Sequence, residues 1–292
     1  MLSITDLFQQ AREHLALGDV GREYVGFLAH FFSFGALGFC FAVVRQMRLE
    51  DTGVGGDSAY SRSSRTAALI GLIGAAGMAY LMIAGALGRP DAAGLGFVDA
   101  LAAAGPHFLW PLAFVLLMAA GFLGAVGGLE TAWMLAGVAG VAYALRTITT
   151  GRWFTLINPL HEVFASLWIG TLFVLVAAGL PAILRRSTPP ERRGPLVAEM
   201  VANFSNLALV AATCLGITGV ITAWHHLKYL AALWTTPYGV TFLVKLSMVA
   251  LVVIVGAWNW RRMRPRLGGE GAVKSLRRSA TAELIIAAVV LA

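Results

Sequence analysis

The sequence predicts an all-α integral membrane protein. Hydrophobic residues make up 58% of the chain and charged residues only 13%, with a mean hydropathy of +0.76; soluble domains carry about 25% charged residues. The apolar residues fall into runs long enough to cross a bilayer, which takes roughly 20 residues as helix. Basic residues outnumber acidic ones 22 to 15 and gather between the runs. That is the pattern of cytoplasmic loops in a multi-span protein, so the charge does not call for nucleic acid.

In chain order, residues 1–23 form an interfacial N-terminal segment. They contain Asp6, Arg12, Glu13, Asp19, Arg22 and Glu23 and have no apolar core of signal-peptide length. Leu7, Phe8, Ala11 and Leu15 recur at helical spacing, as in a helix lying along the membrane surface. Eight candidate spans follow, at roughly 24–44, 66–88, 106–127, 130–149, 159–183, 203–224, 239–260 and 279–292. The third and fourth are separated by Gly127-Gly128 and form a tight hairpin. Glycine pairs such as Gly71/Gly74 and Gly121/Gly124 lie inside apolar runs, where small residues bring helices into close contact. His30 and His161 each open a first span, and Pro106 and Pro237 each precede a third. Residues 24–150 and 151–292 are therefore read as two degenerate four-helix halves of equal orientation.

Orientation follows from the cations. With the N-terminus outside, Arg45, Arg48, Arg62, Arg65, Arg185, Arg186, Arg192, Arg193 and the run Arg261–Arg278 fall in cytoplasmic loops, as the positive-inside rule requires. The reading is N-out and C-out, and it places all 6 histidines on the outer side or in the outer half.

That clustering carries the functional expectation. A single interfacial histidine is an ordinary helix-end residue, but several at one depth supply imidazoles from facing helices, which suit copper or haem iron. The candidate metal ligands are His161 and His225, with His226, His30 and His107 in support. Neighbours on a helix point about 100° apart, so His225 and His226 cannot share one seam; His225 shares its face with Thr222, Thr218 and Cys214. His161 shares a face with Phe164 and Trp168, leaving Glu162 to one side as a partner for a ligand. Lys245, two turns into the seventh span, is a charge in hydrocarbon, costing roughly 2.5–3.5 kcal/mol unless it faces a cavity, a ligand or the headgroups. Met248 stands about one turn from it, and Met78 and Met82 lie in the second span. Cys40 and Cys214 lie in separate apolar runs, without metal or disulfide spacing, and read as packing residues. No hydrolase motif and no pair of intramembrane carboxylates is present, which gives no support to an enzyme.

Residues 159–267 resemble the CopD family of bacterial copper-resistance inner-membrane proteins. The resemblance rests on Pro159-Leu-His161, Leu167-Trp168-Ile-Gly170, Phe204-Ser-Asn-Leu-Ala208 leading into Gly219 and Trp224, and Leu233-Trp234-Thr-Thr-Pro237-Tyr238-Gly239 followed by Lys245, Asn259-Trp-Arg261 and Arg264-Pro265. It implies a helical bundle in the bacterial inner membrane that holds or moves copper, alongside a periplasmic copper-binding partner. Trp168, Trp234, Tyr238 and Lys245 occupy family-motif positions. The His161 to Trp168 stretch and Lys245 are also similar to small haem-binding membrane proteins associated with protoporphyrinogen oxidation, so a haem b redox protein is the rival expectation. A non-catalytic accessory subunit of a larger membrane complex is the third.

Overall fold

The computed structural model describes residues 17–47, 59–149, 157–185, 188–227, 229, 231–236, 239–244, 246–251 and 254, with backbone alone at 17–20, 147–149, 157–158, 225 and 226. Among these residues there are helices and turns and no strand. A sequence whose runs are apolar on every side has no other way to satisfy its backbone in lipid except a closed barrel.

Helix α1 (Leu17–Gly38) continues through a π-helical turn, Phe39–Val44, to Met47. It begins inside the segment read as interfacial, without a break at residue 23. Helix α2 (Ala59–Leu87) starts a full turn and more before the expected 66, because Tyr60-Ser-Arg-Ser-Ser-Arg65 continues the helix on polar residues that a hydropathy criterion passes over. A short helix, α3 (Phe97–Ala103), leads to α4 (Pro106–Val126), which opens on a proline in its first turn. The hairpin to α5 (Ala132–Thr149) turns where expected, with Gly128 at φ +92°, a conformation glycine adopts without strain.

The fifth span is a composite. Helix α6 (Ile157–Ala165) passes into a π turn at Ser166–Gly170, a short α segment Thr171–Val174, a second π turn at Leu175–Gly179, and a last α turn to Ile183. Helix α7 (Pro190–Leu227) is 38 residues long, against the 203–224 expected. Its first turns, with Pro190 leading and Glu191 beside the helix N-terminus, are good helix-starting chemistry but too polar to count as span. The short helix α8 (Ala232–Thr235) and the apolar helix Gly239–Leu251 follow.

Five helices among the described residues are long and apolar enough to cross a membrane: Gly21–Met47, Ala59–Leu87, Pro106–Val126, Pro159–Ile183 and Pro190–Trp224. The fourth and seventh expected spans appear as shorter apolar helices, Ala132–Arg146 and Gly239–Leu251, and the eighth lies outside the described residues. Helix α1 is central, packing on α2 and on the fifth span as far as Val174, beyond which that span packs on α2; α4 packs on α2 and α5, and α7 on α6. Where α1 crosses the fifth span, a Cβ on Gly35 would run into the backbone of Gly170. The core holds Phe39, Val43, Met118 and Phe122, and Trp133 donates from Nε1 to Ser64 at 2.9 Å within it. Residues such as Ile73, Leu123, Val138, Leu209 and Val220 lie exposed on the outside of the bundle, as a lipid-facing surface requires.

Candidate functional site

The helices sort their polar groups to two ends. Arginines gather where α1 ends, α2 begins, the fifth span ends and α7 begins. There Arg62 donates to the Ala182 carbonyl at 3.3 Å, and Arg193 to the carbonyls of Thr188 and Arg185 at 3.0 and 3.2 Å. Arg45 lies over the Phe41 ring, 4.9 Å from its centroid. The opposite end, where α5 and α7 finish and α6 starts, carries the histidines.

At that end His161, on the second turn of α6, faces α7. Its Nδ1 lies 3.0 Å from Oγ1 of Thr218. The Thr218 hydroxyl in turn reaches the carbonyls of Cys214 and Leu215 at 2.9 and 3.0 Å. With its own proton given to a carbonyl, Thr218 can only accept from the ring. In the tautomer that donates from Nδ1 to Thr218, Nε2 keeps its lone pair. Gly219 makes room for the ring: a Cβ there would sit 3.3 Å from Cε1 of His161. A half-buried imidazole held through one nitrogen by a helix partner is the arrangement that orients a metal-ligating histidine.

His30, on α1, is held differently. Its Nδ1 faces two acceptors, the Gly26 carbonyl at 2.9 Å and Oε1 of Glu162 at 3.1 Å, so that nitrogen is protonated. Its Nε2 lies 3.1 Å from the hydroxyl of Tyr143 on α5, which donates to it when the ring is neutral. Phe34 stacks parallel to the ring at 6.3 Å. Both nitrogens are engaged, and the residue ties α1, α5 and α6 together.

The other expected site residues are scattered. His107 is exposed on the first turn of α4, a helix that packs chiefly on α2 and α5. His225 and His226 lie on regular helix, since α7 runs unbroken to Leu227; their side chains are outside the described residues. Because the helix has not unwound, only one of them can share the face of Thr218, and the seven-residue step selects His225. Trp168 sits inside the first π turn, where the i→i+5 pattern breaks the spacing by which it would share a face with His161. Trp234 is exposed on α8 and Met248 half-buried on the helix after it; Tyr238 and Lys245 lie outside the described residues. Among the described residues no three of His, Cys, Asp and Glu converge on one point. Tyr143 was missed from the sequence, although a lone tyrosine near the end of an apolar helix is a polar tip needing a partner.

Fold and site together define a multi-span helical membrane protein with histidines toward one end and most of its arginines at the other. Residues 198–292 match the family model for copper resistance protein D, which covers the C-terminal part of the chain and includes Thr218, Gly219, His225 and His226. No curated protein and no solved structure gives a match.

Proposed function

We propose that the protein handles copper at the histidine end of the bundle, with His161 and His225 as its principal ligands. The observation that carries this is the His161–Thr218 hydrogen bond: it turns the ring toward the helix that carries His225 and leaves Nε2 as the free donor. Imidazole suits copper well, and the copper-resistance match covers the α7 side of the site. His226, about 100° round the helix from His225, falls outside that ligand pair. His30 and Glu162 act behind His161: their mutual contact holds the start of α6 in register, while His107 is exposed on the first turn of α4. By the positive-inside rule the arginine end is cytoplasmic and the histidine end periplasmic, which makes the chain an N-out inner-membrane protein. A periplasmic copper-binding protein is the natural partner for an outward-facing site. Onward movement of the metal would pass Lys245 and Met248 of the seventh span.

The test is copper binding by the purified full chain. His161→Ala/His225→Ala is expected to hold one tightly bound equivalent fewer than the wild type; unchanged binding in the double variant removes the assignment. An absorption spectrum of the same sample, oxidised and then reduced with dithionite, decides against haem if it shows no Soret band.

A further inference from the structure

A second set of soft donors lies at the opposite end of the bundle. A cavity of about 20 Å³ opens where α1 and the fifth span end and α2 and α7 begin. Its wall includes Met47 and Met200, with Val44, Gly179, Tyr60 and Ser63. Met200 is 1% exposed, and its thioether fits a notch made by Gly179, where a Cβ would stand 2.6 Å from Sδ. Two π turns end on this wall: Phe39–Val44 contributes Val44, and Leu175–Gly179 contributes Gly179. Such turns within long helices recur at functional sites. The Ser63 hydroxyl donates to the Tyr60 carbonyl at 2.9 Å, and the lining contains no carboxylate and no cationic side chain.

These features select among metals. A void this size holds about one water or one ion. Neutral thioethers are poor ligands for hard divalent cations and good ones for Cu(I). The arginine end is the cytoplasmic end by charge, and that compartment is kept reducing. We infer that this cavity is a Cu(I) site, with the sulfurs of Met47 and Met200 as ligands, separate from the imidazole site at the other end. The inference rests on the copper-handling reading above and names the form of copper held on the inner side.

The experiment uses the full chain in detergent, loaded with Cu(I) under ascorbate against a competing chelator and read by copper-edge X-ray absorption. Sulfur scattering is expected in the wild type and in His161→Ala/His225→Ala. Met47→Leu/Met200→Leu is expected to lose it together with one equivalent of Cu(I), while nitrogen scattering from the histidine end persists. No sulfur scattering in the wild type, or its survival in the methionine double variant, overturns the site. Loss of nitrogen scattering tracks the histidine end alone, so failure of either site is read separately. Leucine nearly conserves the volume of methionine, and a normal elution profile verifies folding. Should the double variant fail that check, Gly179→Ala crowds Sδ of Met200 without removing it: at least a tenfold weaker Cu(I) affinity is expected, and an unchanged affinity overturns the proposal.

Discussion

His30 and His161 lie at the same end of the bundle, on neighbouring helices, and are alike in the sequence. Their surroundings make them different chemical groups. His30 has an acceptor pair at Nδ1 and a phenol at Nε2; His161 has one hydroxyl at Nδ1. The first is a tie between three helices, the second a ring held by a hydroxyl of one neighbouring helix. Whether a histidine serves structure or metal is decided by its second nitrogen, and that depends on what the neighbouring helix presents.

The contrast can be broken at Thr218. Thr218→Val keeps the shape and removes the acceptor, so the His161 ring loses its orientation. A loss of about 10- to 100-fold in copper affinity is expected, the usual effect of removing such a partner, and copper titration of the purified variant measures it. An unchanged affinity would mean that the ring is oriented by packing alone. Tyr143→Phe acts on the other histidine. It leaves Nε2 of His30 unpaired and should lower stability by about 1 kcal/mol, seen as a lower thermal midpoint in detergent, with copper binding intact. If copper affinity fell as far as in the threonine variant, the two histidines would belong to one site. The smallest effect is expected for Glu162→Gln. The carboxylate is 30% exposed, and a partly solvated pair contributes under about 1 kcal/mol; a larger drop in the same melting experiment would make the pair a main support of α6.

Much of this was legible in the residues. The spans show as apolar runs because the bilayer sets their length, and the α4–α5 hairpin shows because Gly127-Gly128 is a turn. The copper-resistance resemblance gave Gly170 and Gly219 as motif residues without a task. The structure supplies one for each: Gly170 lets α1 cross the fifth span, and Gly219 admits the His161 ring. The partners of the histidines were not legible, since Tyr143 and Glu162 meet His30 only through packing of helices more than 100 residues apart in the chain. Nor were the π turns, because an i→i+5 turn has the same composition as the α-helix around it. The early start of α7 was hidden by its polar residues, which a helix accepts and a hydropathy window does not.

The first of the fifth span's π turns, Ser166–Gly170, has a consequence in the gene. A π turn is one residue more than a regular helix needs. Deleting a single codon there would close the bulge to a regular α turn and leave the length of the span and the faces on either side of it nearly unchanged, whereas one residue removed from an unbroken α-helix turns everything before it by roughly 100°. The contacts of His161 with Thr218 and of Glu162 with His30 would then survive the loss of that residue. A frame-preserving deletion would thus be tolerated at this turn and would break the same contacts elsewhere in the span, a difference that no hydropathy profile would register.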